Sequence, residues 1–429
     1  MRFAIVHLVV VCLISSAAAL FGCTDRPVDV DAGARPDRAE QPASRPEALA
    51  KSFHGQEVWF VGGFMSQLYD ALSGQLEDEV NEALQRGARS LNVHLELPGG
   101  RSLDIELGDA IADALPRIDL PIEHGRFMSF YPQMQDFDAK GIPYRNISLV
   151  SAAFNTSQSV EHNAAAILAL LQHTDKQVIF VTHSKGGLDT LHALLQAPEL
   201  WGKTVIGWVA LQAPFYGSPL ADPSPVELNG LLLEALGGNG QAVEDLKTTT
   251  RMRYMQEHAT EIEKLTARIP VIAAYTTFES NDSVSTFAET LANGVFSADL
   301  VTRITEIVSF EFAKTPNDLP RVIGAAASQS ADLIARQVTD AWTEAVGTVS
   351  LLMLPNVYLR DIFKVPNDGL VPEPSTRLPG AEHRDLPTGD HASPVMDVEP
   401  FKSFWSDAQR NDVTLGLIDE VRDHSPNRR

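Results

Sequence analysis

The sequence predicts an α/β fold in which a mostly parallel central sheet is covered by helices on both faces. Three apolar runs, at residues 178–181, 204–211 and 270–275, show no alternation of polar and apolar positions. Such uninterrupted runs are typical of strands that are buried on both faces of a parallel sheet. Stretches with helical spacing separate the runs, and this alternation is the pattern of successive strand–helix–strand units.

Length, charge and cysteine content limit the class of protein. At 429 residues the chain is long enough for one large α/β domain, which we place at residues 51–425. The formal net charge is −22, and since nucleic-acid binding requires a positive surface, we expect no nucleic-acid partner. Of the two cysteines, Cys12 lies in an apolar N-terminal segment, so a mature chain would keep Cys23 alone and could form no intramolecular disulfide.

The N-terminus predicts a destination outside the cytoplasm. Residues 3–20 form an apolar run, and a small residue and Cys23 follow it. This pattern indicates a lipoprotein signal peptide at residues 1–22, after whose cleavage Cys23 carries a lipid. Residues 23–50 are rich in Pro, Asp, Arg and Ala, which predicts a flexible tether to an envelope membrane, expected to be the outer membrane. An uncleaved membrane anchor and an ordinary secretory signal remain open alternatives.

The first elements of the domain frame an insertion. Residues 57–61 predict a strand that runs into a Gly-Gly pair, an ending that lets backbone N–H groups point into a pocket. Residues 66–88 have helical spacing. Residues 91–107 predict a β-hairpin, because apolar residues occupy every second position of each arm. We interpret residues 70–126 as an insertion to which the sequence assigns no chemistry.

The remaining elements follow the same reasoning. Residues 144–150 predict a strand, and residues 159–173 predict a helix with Ser159 as its N-cap. Residues 356–364 predict the last strand, and residues 400–421 a closing helix. Two helical segments lie between these elements, at residues 223–269 and 285–352, and we interpret the second as a further insertion.

The first of these segments, residues 223–269, is predicted to be a lid over the site. Its leucines could cover the site or meet lipid, and plain core packing is the alternative that the sequence leaves open. These leucines are Leu228, Leu231, Leu232, Leu233 and Leu236.

Ser184 is the candidate nucleophile. It lies at an abrupt turn between the strand at residues 178–181 and a helical stretch, which is the arrangement of a nucleophile elbow, usually written G-x-S-x-G. The turn needs small residues two positions before and two after the serine, because their side chains are expected to face each other. Gly186 meets the second requirement, while Thr182 stands where the first glycine is expected.

A serine nucleophile needs a base to take its proton and a carboxylate to orient that base. Asp368 and His391 follow Ser184 in the order Ser, Asp, His, and each lies in a predicted loop, Asp368 after the predicted last strand. This order and these loop positions favour Asp368 as the acid and His391 as the base.

Other residues compete for these roles. Asp282 and Glu279 follow an earlier strand and could supply the acid instead. Asp390 adjoins His391, but a sequence neighbour is rarely placed to receive that ring's N–H. His383 is a weaker candidate for the base, and we expect His183 to be a packed or hydrogen-bonded neighbour of the serine.

Three motifs resemble those of the bacterial triacylglycerol lipase family of α/β-hydrolases. They are VTHSKGGLD, LQAPFYGSPLAD and NDGLVP, in that order and in that context of strands and helices. The resemblance extends over residues 57–395, apart from the insertions, and implies an α/β-hydrolase fold. It also implies Ser184 as nucleophile, Asp368 as acid and His391 as base, with the N–H groups of Phe64 and Lys185 as the oxyanion hole.

The chain departs from that family at defined positions. Members usually carry His-Gly before the first oxyanion donor and Gly two residues before the serine, whereas this chain has Gly62-Gly63 and Thr182. Members often bind a structural calcium through an Asp two residues after the base, and this chain has Ser393 there. We therefore predict no metal and no cofactor.

These observations predict a serine-dependent carboxylic-ester hydrolase, lipase-like, that forms an acyl-enzyme on Ser184. The expected partners are an acyl ester or lipid substrate and a membrane, through the lipid on Cys23. Two alternatives remain. One is related serine acyl chemistry on the same fold, as in a phospholipase, thioesterase, amidase or acyltransferase. The other is a non-catalytic envelope binding protein on a hydrolase scaffold.

Overall fold

A six-stranded parallel sheet organises the part of the chain that the structure, a computed structural model, describes. That part comprises residues 53–63, 65–97, 100–119, 128–222, 240–280, 284–345, 350, 352–398 and 401–425. The strands are β1 Gln56–Val61, β2 Asn92–Leu97, β3 Arg101–Glu106, β4 Tyr144–Asn146, β5 Gln177–His183, β6 Val205–Leu211, β7 Val271–Tyr275 and β8 Glu382–Asp385. The sheet order is β4-β1-β5-β6-β7-β8, while β2 and β3 pair separately as the predicted antiparallel hairpin.

Helices connect the strands and pack on the sheet. Ser159 caps the helix before β5, as predicted, since its Oγ accepts the N–H of His162 at 3.2 Å. The helices are α1 Met65–Arg89, α2 Gly108–Ala114, α3 Tyr131–Lys140, α4 Ile147–Val150, α5 Val160–Leu171, α6 Lys185–Gln196, α7 Gly240–Glu244, α8 Thr248–Glu257, α9 Ala259–Arg268, α10 Val284–Val295, α11 Ala298–Lys314, α12 Leu319–Ala345, α13 Met353–Phe363 and α14 Asp407–Asp423.

The predicted parallel α/β architecture is confirmed. Every residue of β6 is buried, and so is every residue of β5 after Gln177. Strands that are apolar at every position can only be accommodated where both faces of a sheet are covered. β5 lies between β1 and β6, so its carboxyl end, where Ser184 follows, opens near the middle of one sheet edge.

The prediction of a strand at residues 356–364 is wrong, because this stretch belongs to helix α13, which ends at Phe363. Its buried residues Met353, Asn356 and Leu359 recur at three-residue spacing, which is one face of a helix. The sheet takes its last strand from β8 instead, whose residues EHRD are polar and mostly exposed. As an edge strand that pairs with β7 alone, β8 needs no apolar pattern, so the sequence carried no signal for it.

Two other boundaries also differ from the prediction. The strand predicted at residues 144–150 ends at Asn146, whose side chain accepts the N–H of Ser148 at 3.1 Å and starts α4. The closing helix begins at Asp407, later than predicted, because Ser406 provides its N-cap.

Segments predicted as separate insertions lie side by side. Helix α1, which follows β1, packs against α10, which follows β7, and α2 packs against α12. Arg86 Nη2 lies 2.6 Å from Glu289 Oε1 across this contact. At Gly87 a Cβ would lie 2.5 Å from the ring of Phe296, so glycine permits the close approach. The two segments therefore form one helical layer that leaves the sheet from its carboxyl edge.

Residues 240–269 of the predicted lid form hydrogen bonds and helix contacts with the rest of the domain. Arg251 Nε donates to the carbonyl of Phe215 at 3.2 Å, and Asp245 Oδ2 accepts the N–H of Val160 at 2.7 Å. Helix α9 contacts α6. The leucines on which the lid prediction rests lie at residues 223–239, outside the described part of the chain, so the lid stays a prediction.

Candidate active site

Ser184 stands at a strained turn between β5 and α6. Its backbone has φ 54° and ψ −132°, a combination outside the regions that residues with a side chain favour. The N–H of Ser184 donates to the carbonyl of Leu211 on β6 at 3.0 Å, which ties the turn to the carboxyl edge of the sheet. This is the geometry of a nucleophile elbow, which presents the serine hydroxyl at that edge.

The loop after β1 passes directly over the serine. A Cβ on Gly63 would lie 2.7 Å from Ser184 Cβ and 3.1 Å from Ser184 Oγ, so only glycine fits here. A Cβ on Gly186 would overlap the carbonyl oxygen of Val61, which makes glycine necessary on the helix side as well. The Gly-Gly pair after β1 thus brings backbone close to the hydroxyl, where an oxyanion would form.

The atoms nearest to a Cβ on Gly186 belong to the backbone of Val61 and Gly62, and not to Thr182, which was expected to face it. Gly186 faces the backbone of β1, while a Cβ on Gly187 would lie 3.4 Å from Thr182 Oγ1. The Thr182 hydroxyl accepts a hydrogen bond from Trp208 Nε1 at 2.9 Å and is buried. The elbow therefore accommodates threonine here, because its hydroxyl has a partner on β6.

Asp368 and His391 meet, as predicted from their loop positions. His391 Nδ1 lies 2.6 Å from Asp368 Oδ2, and both side chains are buried. Asp368 Oδ1 accepts the N–H groups of Leu370 at 2.9 Å and Val371 at 2.7 Å. The loop of Asp368 follows helix α13 and not a strand, which corrects the context from which it was predicted.

The pairing with Asp368 sets the tautomer of His391. A carboxylate only accepts hydrogen bonds, so Nδ1 carries the proton and Nε2 of the neutral ring has a free lone pair. His391 Nε2 is buried and has no hydrogen-bond partner, so the bond to Ser184 Oγ is not formed in this structure. Such bonds are often long in unliganded enzymes and tighten with substrate.

The loop that carries His391 has no regular secondary structure, yet its carbonyl groups are paired from several directions. Gln133 lies on a helix far away in sequence and Arg410 on the helix that follows the loop, and no sequence pattern links either side chain to these carbonyls. Gln212 directly follows β6, at the carboxyl edge of the sheet where the other candidate site residues lie. That position could have indicated Gln212 as a site residue. The pairs are Asp390 O with Gln212 Nε2 at 3.1 Å, His391 O with His183 Nε2 at 2.8 Å, Ser393 O with Arg410 Nε at 2.9 Å, Pro394 O with Gln133 Nε2 at 2.7 Å and Val395 O with Phe130 N at 2.7 Å.

The carboxylate of Asp390 shapes the loop and does not face the ring of His391. Its oxygens accept the Ser393 hydroxyl at 2.7 Å and the Ser350 hydroxyl at 2.9 Å. Burial raises the pKa of the Asp390 carboxyl, an effect that these hydrogen bonds oppose. Ser393, where the lipase family often has a calcium ligand, is therefore used in a hydrogen bond to Asp390.

Two of the three remaining competitors, His383 and Glu279, lie in the described part of the chain. His383 lies on β8, where its Nε2 bonds the carbonyl of Leu378 at 3.2 Å. Glu279 is exposed. Asp282 lies outside the described residues.

Lys185, the first residue of α6, is the second predicted oxyanion donor. Backbone N–H groups in the first turn of a helix lack an intrahelical partner and are available to an anion. Its side chain turns away and its Nζ lies 2.9 Å from Asp189 Oδ1, with Asn163 Nδ2 at 2.9 Å from the other oxygen. Burial raises the pKa of the Asp189 carboxyl to about 6, and the Lys185 ammonium opposes that rise. The pair anchors the start of the helix beneath the serine.

Two predicted site residues, Phe64 and Cys23, lie outside the described residues. Within the described ranges, no group of three or more His, Cys, Asp and Glu side chains is placed to hold a metal ion.

The parallel sheet, the strained serine after its β5 strand and the later Asp–His pair together define the α/β-hydrolase fold. No family model matches the chain, and no curated protein matches it.

Several solved structures are similar to it. A metagenomic carboxyl esterase, MGS0156, is 16% identical with a TM-score of 0.42, over 95% of this chain and 81% of that one. The mature Bacillus licheniformis lipase BlEst2 is 18% identical with a TM-score of 0.39, over 69% of this chain and 88% of that one. The Legionella pneumophila phospholipase PlaB is 15% identical with a TM-score of 0.25, over 52% of this chain and 38% of that one. At these scores, none of the likenesses bears on the activity of this chain.

Proposed function

We propose that the chain is a serine-dependent carboxylic-ester hydrolase, lipase-like, with Ser184 as nucleophile, His391 as base and Asp368 as orienting acid. One observation carries the proposal. His391 is hydrogen-bonded to Asp368 in the tautomer that leaves Nε2 free as a base, and its backbone is bonded to the residue before the strained Ser184. A buried imidazole with a bare Nε2, held through its backbone carbonyl by the residue before an elbow serine, is suited to removing that serine's proton.

The first half of the reaction forms an acyl-enzyme. As the Ser184 oxygen bonds to the ester carbonyl carbon, its proton moves to His391 Nε2, and Asp368 stabilises the resulting imidazolium. The N–H of Lys185 and the backbone after Gly63 would donate to the developing oxyanion. Collapse breaks the ester C–O bond, and the alcohol leaves with the proton from His391.

Water completes the cycle. His391 Nε2 takes a proton from water as the water oxygen adds to the acyl carbon. Collapse of this second tetrahedral intermediate returns the proton to Ser184 Oγ and releases the carboxylic acid. An acyl ester or lipid is therefore the proposed substrate class, and the steps require no cofactor.

A fluorophosphonate probe tests the proposal without knowledge of the natural substrate. We expect one covalent adduct per chain, on the peptide that contains Ser184, because only an activated serine reacts rapidly with such a probe. Mass spectrometry of the native protein locates the adduct, and heat-denatured protein provides the control. Labelling of neither sample, or equal labelling of both, would favour the binding-protein alternative.

We also propose that the protein is a lipoprotein of the cell envelope, anchored through Cys23 and facing outside the cytoplasm. The support is the apolar run at residues 3–20, the cysteine after it and the polar tether. Within the described ranges, no helix has the length and apolarity needed to cross a membrane.

Replacement of the lipidated cysteine tests this address. Cys23→Ser removes the thiol that would carry the lipid, so the protein should move from the membrane fraction to the soluble fraction and remain active. Immunoblots of fractionated cells, with an esterase assay on each fraction, measure both properties. A variant that stays in the membrane fraction would show that the uncleaved run at residues 3–20 is the anchor.

A further inference from the structure

His183, the residue before the proposed nucleophile, lies against the proposed base. The ring centroids of His183 and His391 are 4.7 Å apart, with the rings tilted by 45°. His183 Nε2 is 2.8 Å from the backbone carbonyl of His391 and 3.1 Å from Gln212 Oε1. The mechanism proposed above does not use this ring.

The contacts of His183 determine which nitrogen carries its proton. A backbone carbonyl only accepts hydrogen bonds, so Nε2 must be the donor. His183 Nδ1 is buried and has no hydrogen-bond partner, as suits a bare nitrogen better than an N–H. Burial, together with repulsion from His391, lowers the pKa of His183 to about 3. The ring is therefore a neutral donor throughout the pH range in which an esterase works.

Neutrality at this position suits the chemistry. His391 becomes an imidazolium when it takes the serine proton, and a second cation at 4.7 Å would oppose that step. A neutral ring offers a hydrogen bond to the base residue without this repulsion.

A second side chain extends the contact. Gln212 follows β6 with φ 53°, and its Nε2 donates to the carbonyl of Asp390 at 3.1 Å and to the Thr276 hydroxyl. The Thr276 hydroxyl also donates to the carbonyl of Asp390 at 3.2 Å. His183, Gln212 and Thr276 lie at the carboxyl ends of β5, β6 and β7. Their side chains thus hydrogen-bond two successive carbonyls, those of Asp390 and His391. Because these carbonyls fix the peptide planes on either side of the His391 Cα, they determine where its imidazole is placed.

We propose that His183 is a positioning residue that places the His391 imidazole for proton transfer, through its N–H bond to the His391 carbonyl. The proposal rests on the proposed function for its kinetic consequence and on the contacts alone for its structural one. Misplacement of a reacting group by about 1 Å can cost roughly 100-fold in rate, so a single buried hydrogen bond at this position can have a large effect.

Three substitutions at position 183 separate the donor from the space that it fills. In His183→Gln the side-chain NH₂ falls near the position of Nε2 and can reach the carbonyl. In His183→Asn the NH₂ is one bond shorter and does not reach it, while His183→Met fills the space without a donor. We expect kcat on a p-nitrophenyl ester to stay within about 3-fold of wild type for Gln and to fall about 10- to 100-fold for Asn and Met, with KM unchanged.

His162→Met is the matched control. The Nε2 of His162 also lies within hydrogen-bond distance of a backbone carbonyl, that of Ala153 at 2.8 Å, but this residue is exposed and does not contact His391. The His162→Met variant should leave kcat and KM unchanged. Equal losses in the Gln and Met variants, full activity in the Asn and Met variants, or a loss confined to KM would each overturn the proposal.

A spectroscopic readout keeps the test independent of turnover. The His391 Nδ1–H proton in the short bond to Asp368 should give a far-downfield proton resonance, which His391→Gln identifies by its absence. We expect this resonance to persist in His183→Gln and to shift or broaden in His183→Met. An unchanged resonance in the Met variant would overturn the proposal, whereas absence of ester hydrolysis by the wild type would contradict only the proposed function.

Discussion

Ser184→Ala should lower kcat for ester hydrolysis by about 10⁴- to 10⁶-fold, the loss typical of removing a catalytic serine, or roughly 5 to 8 kcal/mol of transition-state stabilisation. The physical reason is that no other group on the elbow can form the acyl-enzyme. The Asp368–His391 pair does not depend on the serine hydroxyl, so the rest of the site should persist. Hydrolysis of a p-nitrophenyl ester under saturating conditions gives kcat directly.

The fold should survive this change. An alanine at position 184 can keep the same strained φ, and its backbone N–H can still donate to the carbonyl of Leu211. We expect a melting temperature within about 2 °C of wild type, the order of shift that about 1 kcal/mol produces in a domain of this size. A folded variant that hydrolyses the ester at a rate near wild type would show that the assignment of Ser184 is wrong.

Asp368→Asn should lower kcat by roughly 10⁴-fold with the protein still folded. The two oxygens of Asp368 have separate tasks, which makes the outcome specific. Oδ1 accepts the N–H groups of Leu370 and Val371, and an asparagine oxygen can keep both bonds. Its NH₂ would then face His391 Nδ1 as a donor, which favours the tautomer with the proton on Nε2 and removes the lone pair that the base needs.

Asp282→Asn is the matched control, because Asp282 was the competing acid in the sequence. It should change kcat by less than about 3-fold, since the orienting position on His391 Nδ1 is occupied by Asp368. Steady-state kinetics of both variants, with melting temperatures, make the comparison. A reversed result, with Asp282→Asn inactive and Asp368→Asn active, would place the acid after β7.

The architecture could be predicted because its strongest signals are local. The uninterrupted apolar runs of β5 and β6 can only be satisfied inside a parallel sheet, and the turn at Ser184 follows the first of them directly. Helix α5 could be predicted for the same reason, since its capping residue Ser159 lies next to it in sequence. The polar edge strand β8 could not be predicted, because a mostly exposed strand that pairs on one side only needs no apolar pattern.

By itself the sequence determined the parallel α/β fold, the elbow serine and the order in which an aspartate and a histidine follow it. Only the tertiary structure decided which carboxylate meets His391, because Asp368 and His391 become neighbours through a contact between loops. The same holds for His183 and Gln212, whose partner carbonyls lie on the loop at the far end of the chain. The physical reason is that a motif consists of residues at fixed short spacings. Every residue has a backbone carbonyl, so a hydrogen bond to that carbonyl does not restrict which amino acid accepts it.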